Sequence, residues 1–218
     1  MKTKRFLGGL VFAIIALMTI SVSAMASEFS PQKRSRTTTS RQGKVNTKNP
    51  TSAAEQNALG VQYANNNDAQ KAIYWFTKAA EQGYTPAQCN LGDCYNMTIG
   101  SFGGDTYNES KAVYWLRKAA EKGDCVAQDA LGDCYMSGSG VPCDYKLAVY
   151  WFSKSAQQDY RPAQIGLADC YKYGGHGITK DLDKEAYWRK KGCSPGGYEP
   201  NKKMYVDWSK LFDKYDDI

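Results

Sequence analysis

The 218-residue chain has a net charge of +6, and that charge is unevenly placed. Residues 1–26 contribute three positive charges, residues 27–51 carry +5, and residues 52–218 carry −2. The basic balance belongs to the N-terminal segments, which argues against a nucleic-acid-binding domain. A single histidine excludes a multi-histidine metal site.

In chain order, Lys2, Lys4 and Arg5 precede an apolar run over residues 6–20, and Ala24-Met25-Ala26 stands before Ser27. A charged start, a short apolar stretch and a small-x-small site predict a secretory signal peptide over residues 1–26, removed after Ala26. The expected location is periplasmic, cell-envelope or secreted. Residues 27–51 are rich in Ser, Thr, Arg and Lys and lack an apolar period. Such a segment cannot bury enough apolar surface to offset its ordering entropy, so a disordered basic linker is expected. Its basic residues within 33–48 are the only route to membrane contact.

From residue 52 a repeat takes over. Leu59-Gly60-x-x-Tyr63, Leu91-Gly92-x-x-Tyr95, Leu131-Gly132-x-x-Tyr135 and Leu167-Ala168-x-x-Tyr171 are four copies of one block. Each precedes a second block: Ala72-x-Tyr74-Trp75, Ala112-x-Tyr114-Trp115, Ala148-x-Tyr150-Trp151 and Ala186-Tyr187-Trp188. Each Trp lies 16 residues before the next Leu, and this spacing does not vary. A fixed period of this size predicts one supersecondary unit stacked on copies of itself. In the third copy, Ala127, Ala130, Leu131, Cys134 and Tyr135 fall on one helical face, and Leu147, Ala148, Trp151, Phe152 and Ser155 on another. Between them, Ser137-Gly138-Ser139-Gly140-Val141-Pro142 cannot stay helical. Each unit is therefore expected to be a helix hairpin, over about 52–84, 85–124, 125–160 and 161–193. Asp124 is the expected N-cap of one first helix, and Gly83, Gly123 and Gly192 the expected left-handed ends of second helices. Gly60, Gly92 and Gly132 inside the first helices suggest close approach of the paired helix. Length varies only in the loop within each hairpin, the largest insertion being residues 98–105.

Ala127-Gln128-x-x-Leu131-Gly132-x-x-Tyr135-x-x-Gly138-x-Gly140-Val141-x-x-Asp144, followed by Ala148-x-x-Trp151-x-x-Lys154-x-Ala156, resembles a Sel1-like repeat, a relative of tetratricopeptide repeats. Lys78-Ala79-Ala80-Glu81-Gln82-Gly83 and Lys118-Ala119-Ala120-Glu121-Lys122-Gly123 match the end of its second helix. The resemblance covers about residues 53–193. It implies an all-α, right-handed α-solenoid with a protein–protein adaptor role and no catalytic residue set. The first copy lacks the Gly-x-Gly-Val loop, and the fourth has Leu167-Ala168 in place of Leu-Gly. After residue 194, Trp208, Leu211, Phe212 and Tyr215 form an apolar stripe, predicting a helix near 203–216 that caps the fourth hairpin.

If the related tetratricopeptide geometry holds, positions two residues either side of each Leu, and the turn that follows, face the concave side. The partner-binding face then includes Asn57, Asp93, Asn96, Asp129, Asp133, Asp169 and Lys172, with an acidic row Asp93–Asp129–Asp133–Asp169. A protein or peptide partner is expected there, and a basic peptide, including the chain's own basic lead, suits the row. An ordinary solvated helix face accounts for the same residues. Of the seven cysteines, Cys94, Cys134 and Cys170 recur at one helical position and are expected to be small buried residues. Cys89, Cys125, Cys143 and Cys193 lie off that register and are open to disulfide pairing in an oxidising compartment. The Tyr-Trp pairs are expected in the core, and His176 as a loop residue. No catalytic, cofactor or metal residues are expected, and no enzymatic activity. Two rivals remain: a cell-wall- or β-lactam-interacting protein like some cysteine-rich relatives, weakened by the single histidine, and a self-assembling structural unit.

Overall fold

The repeating cap-and-stripe pattern folds as helix hairpins. In the computed structural model, the described residues are 50–97, 102, 106–200 and 204–208. The chain divides into two units, Met1–Lys44 and Val45–Ile218, and all described residues belong to the second. The expected signal segment and nearly all of the basic linker lie outside the described residues.

Among the described residues eight helices follow in order: α1 Ala53–Asn65, α2 Ala69–Glu81, α3 Thr85–Asn96, α4 Glu109–Glu121, α5 Cys125–Ser137, α6 Tyr145–Ala156, α7 Arg161–Tyr173 and α8 Leu182–Cys193. Their starts are written in the sequence. Ser52, Asp68, Asn108, Asp124, Asp144 and Asp181 each accept a backbone N–H of the first turn. This satisfies donors that a helix start leaves unpaired. α3 and α7 lack a side-chain cap and instead place Pro86 and Pro162 in the first turn, where a missing N–H is harmless. Gly192 departs from expectation. It does not end the helix in a left-handed conformation but lies buried within α8, where a Cβ would come within 2.9 Å of Ile165.

Within each hairpin, α1 packs on α2, α3 on α4, α5 on α6 and α7 on α8, and each second helix packs on the next first helix. First helices α1, α3 and α5 also touch in succession. They therefore form the inner side of an all-α solenoid. Gly60, Gly92 and Gly132 are where the hairpins close. An added Cβ would stand 2.6 Å from Phe76, 2.6 Å from Leu116 and 2.8 Å from Phe152. Phe76, Leu116 and Phe152 are thereby sunk to near-zero exposure. Burial of each such side chain contributes about 1.5–3 kcal/mol.

Polar side chains join one hairpin to the next. Buried Gln88, Gln128 and Gln164 each donate to the last-turn carbonyl of the preceding hairpin, at Ala80, Ala120 and Ala156 (3.1, 3.0 and 3.2 Å). Gln56, its counterpart in the first hairpin, donates to Pro50 O at 3.1 Å. Gly140 extends the stitching. It sits at φ 70°, a Cβ would meet Glu109 O at 2.4 Å, and its N–H donates to Glu109 Oε2 at 3.1 Å.

The Tyr-Trp pairs divide between surface and core, contrary to the expectation that both are core. Tyr74, Tyr114, Tyr150 and Tyr187 are exposed, while their Trp neighbours turn inward. One turn on, Lys78, Lys118 and Lys154 lie over the exposed rings at 4.6, 4.6 and 4.8 Å. These are cation–π contacts of about 0.5–1 kcal/mol at an exposed site.

All seven cysteines carry free thiols. Cys94, Cys134 and Cys170 are buried as expected, and so are Cys89 and Cys125; Cys143 and Cys193 are exposed.

The C-terminal segment differs most from expectation. Residues 204–208 are not helical: Met204 is in a turn, Val206 and Asp207 are irregular, and Trp208 is again in a turn. They lie on the first helices of hairpins one to three. The remainder of the expected helix, residues 209–216, is outside the described residues.

A concave groove holding the C-terminal segment

Asn57 on α1 and Asn90 on α3 form the floor of the groove. Both are essentially fully buried, at 1% and 0% exposure. Buried amides need partners, and these find them in each other and in the C-terminal backbone. Asn90 Nδ2 donates to Asn57 Oδ1 at 2.9 Å and to Met204 O at 2.7 Å. Asn57 Nδ2 donates to the same carbonyl at 2.8 Å. Val206 N–H donates to Asn90 Oδ1 at 3.1 Å. One asparagine thus reads a carbonyl and an N–H two residues apart, on either side of the bend at Tyr205.

Side chains fix the register. Val206 is buried in the core around Phe76 and Leu91. Tyr205 packs against the neighbouring core around Leu131 and Phe152, and its hydroxyl donates to Asp124 Oδ2 at 2.5 Å. Asp124 meanwhile caps α5 with its other oxygen, which accepts Ala127 N–H at 2.9 Å. Trp208 Nε1 donates to Asp93 Oδ2 at 3.2 Å. Its ring meets Phe102 edge-on at 5.2 Å. Phe102 comes from the insertion in the second hairpin and is fully buried.

The expected acidic row is only partly present. Asp93, Asp129 and Asp133 share one electrostatic neighbourhood on α3 and α5. Burial, with smaller contributions from Asp124 and Asp133, lifts the Asp93 carboxyl to about 7 against the Trp208 hydrogen bond. Burial, then Asp133 and Asp93, holds Asp129 well above the ordinary carboxylate range. Asp133 is also raised to about 7 by desolvation; its surface exposure makes its shift the more strongly screened one. Neither Asp129 nor Asp133 forms an ion pair among the described residues. Asp169 stands apart, its Oδ1 accepting Arg189 Nη2 at 2.8 Å, with Glu185 on the same guanidinium. Asn96 and Lys172 are exposed near the ends of α3 and α7, away from the floor.

Asn90, Tyr205 and Val206 were not among the expected site residues, and Asp124 was expected only as a cap. Asn90 carried a readable signal. The residue just before the repeat's Leu is Ala58, Ala130 or Gly166 in the sister copies, and Asn only in the second.

The remaining nucleophile candidates are quiet. Burial pushes the Cys89 and Cys94 thiols far up, and Cys125, Cys134 and Cys170 to about 12, opposite to what a thiolate nucleophile needs. His176 stacks on Tyr145 at 4.6 Å in an exposed loop. Among the described residues no group of His, Cys, Asp and Glu is placed to hold a metal ion. Among them no helix is long and apolar enough to cross a membrane.

The Sel1 repeat family matches residues 56–84, 85–124, 125–160 and 161–188, one match per hairpin. The chain belongs to the Sel1 repeat family. The two middle matches share the hairpin boundaries read from the sequence. A solved structure of a protective antigen of uropathogenic Escherichia coli strains, displaying an SLR fold, is 36% identical, with a TM-score of 0.58 over 66% of this chain and 31% of that one. A Sel1 repeat protein of Oxalobacter formigenes is 28% identical, with a TM-score of 0.56 over 68% of this chain and 59% of that one. The chain thus spans about a third and about three-fifths of these two relatives. No match is found among curated proteins.

Proposed function

We propose that this chain is an exported, non-enzymatic scaffold that holds a protein or peptide partner in the groove along its first helices. Membership of the Sel1 repeat family supports an interaction role, since such repeats generally serve as protein-interaction scaffolds. The observation that carries the reading further is the groove itself: Asn57 and Asn90 satisfy a peptide backbone, and the carboxyls of Asp93, Asp129 and Asp133 crowd together beside it. A partner with a basic residue next to its bound segment would relieve the repulsion among these carboxylates. The Lys2 to Ser27 signal pattern supports export.

The scaffold reading is tested by cross-linked capture from the source cells with residues 27–218 and with their D93N/D133N variant. Capture of one specific protein, weakened in the variant at low salt, is expected; equal capture by both would remove the groove from the function. Asp169→Asn should matter little, because Asp169 already has Arg189. Export is tested by the mass of the protein recovered outside the cytoplasm, which should begin at Ser27; an intact N-terminus in the cytoplasm would contradict it.

A further inference from the structure

The groove is already occupied. Met204, Val206 and Trp208 make the contacts an incoming peptide would make, through backbone as well as side chains. The segment reaches back 147 residues to Asn57 and 116 residues to Asn90. Every anchor but one comes from a first helix or its cap: Asn57 on α1, Asn90 and Asp93 on α3, and Asp124 before α5. The exception, Phe102, comes from the one long insertion, so the second copy departs from the repeat pattern where Trp208 docks. Asn90 departs from it at the same copy. Two departures converging on one pentapeptide indicate a site built to receive that chemistry.

We infer that residues 204–208 are an intramolecular stand-in for the groove's external ligand, and that this ligand is a peptide with a Tyr-aliphatic-x-Trp pattern. The inference rests on the scaffold reading above and sharpens it. The Asn90 clamp requires a backbone carbonyl and an N–H two residues apart, with the chain bent at the residue between them. The pocket under Val206 requires an aliphatic side chain one position after the Tyr. Asp124 and Asp93 require ring donors three residues apart, a phenol O–H and an indole N–H. A partner peptide must displace the segment to bind, so the segment lowers apparent affinity by the fraction of time the groove is closed. Partners lacking either ring donor are thereby screened out.

The test uses the full chain and a fluorescein-labelled peptide Lys-Met-Tyr-Val-Asp-Trp, matching residues 203–208. Wild type is compared with Y205F/W208F, which removes both ring donors from the built-in segment but keeps its apolar bulk, so that folding is retained; thermal melting checks this. The peptide should bind Y205F/W208F about tenfold more tightly than wild type, as expected when a competing closed state is weakened. Adding N90A should abolish that binding, and a peptide with both rings replaced by Phe should bind neither form. Equal affinity for wild type and Y205F/W208F would overturn the inference. So would binding indifferent to N90A, or no binding to either form. A dimer that disappears in Y205F/W208F would instead assign the groove to a second copy and also overturn it. If a captured protein still binds while the peptide does not, the scaffold reading stands and this inference alone falls.

Discussion

Asn90 and Val206 are 116 residues apart in sequence and joined by a hydrogen bond of 3.1 Å, in which the Val206 N–H donates to Asn90 Oδ1. Both residues are buried, so the bond has no replacement in water. Asn90→Ala leaves the Val206 N–H without its acceptor and removes a donor from Met204 O. The expected cost is about 1–3 kcal/mol, the penalty for a buried unsatisfied group. For a domain of this size that lowers the melting temperature by roughly 2–4 °C per kcal/mol. Asn57→Ala should cost less, because Met204 O keeps its bond from Asn90. A melting scan of both variants checks the order.

Lys122 and Gln158 occupy equivalent ends of successive second helices and behave differently. Gln158 Nε2 donates to Gly123 O and to Gln128 Oε1, completing the buried glutamine of its neighbour. Lys122 Nζ reaches only Gly83 O, at 2.8 Å, and Gln88 Oε1 is left without a partner among the described residues. Lys122→Gln should therefore stabilise the chain by about 1 kcal/mol, by supplying the missing donor. Equilibrium unfolding in urea measures it; no gain would mean that Gln88 Oε1 is satisfied by solvent.

Gly132 has no room for a methyl group, since a Cβ there would stand 2.8 Å from the Phe152 ring. Helix propensity alone favours Gly132→Ala by about 1 kcal/mol. Overpacking costs about 1–3 kcal/mol and outweighs it. The variant should melt lower than wild type. A higher melting point would show that Phe152 shifts freely and that close approach does not explain the glycine.

The groove carboxylates set a pH dependence with a definite sign. Asp93 and Asp133 are raised to about 7, and Asp124 and Asp129 are raised too, burial being the largest cause in each. Asp93 faces Asp124, Asp133 and the Trp208 donor. These groups bind protons more tightly folded than unfolded. Their contribution is fully present below the ordinary carboxylate pKa, about 4, and is lost as pH rises to about 7. Asp68, Asp159 and Asp181 are lowered by hydrogen bonds from Lys71, Lys191 and Lys184, and act oppositely below the ordinary carboxylate range. The urea midpoint should be higher at pH 5 than at pH 8, and Asp93→Asn should flatten the difference. A higher midpoint at pH 8 would contradict the raised carboxyls of Asp93 and Asp129.

Helices, hairpin boundaries and the inner face were legible because repetition multiplies a weak signal. Four Leu-to-Trp units in one register point to stacked helix hairpins, and the expected cap at Asp124 marks one helix start. The same register singled out Asn57 and Asp93, which meet Met204 and Trp208 of the same chain. What repetition hides is the exception. Asn90 stands where sister copies carry Ala58, Ala130 and Gly166, and a template averages it away. Trp208 was misplaced because its 3.6-residue stripe with Leu211 and Phe212 suggests a helix, whereas the preceding Met204-Tyr205-Val206 meets buried asparagine amides. Those amides satisfy its backbone in place of helical hydrogen bonds, and no local propensity reports a partner 116 residues away. Gly192 failed for a related reason: its missing side chain serves the approach of Ile165, not a turn.

The central claim is that the inner groove binds peptide backbone through Asn90. Hydrogen exchange of the Val206 amide in the full-length protein measures this directly. Slow exchange in wild type that becomes fast in N90A, with the helical amides of α3 and α5 still protected, is the predicted result. Fast exchange at Val206 in wild type would contradict it, because the segment would then not be held in the groove.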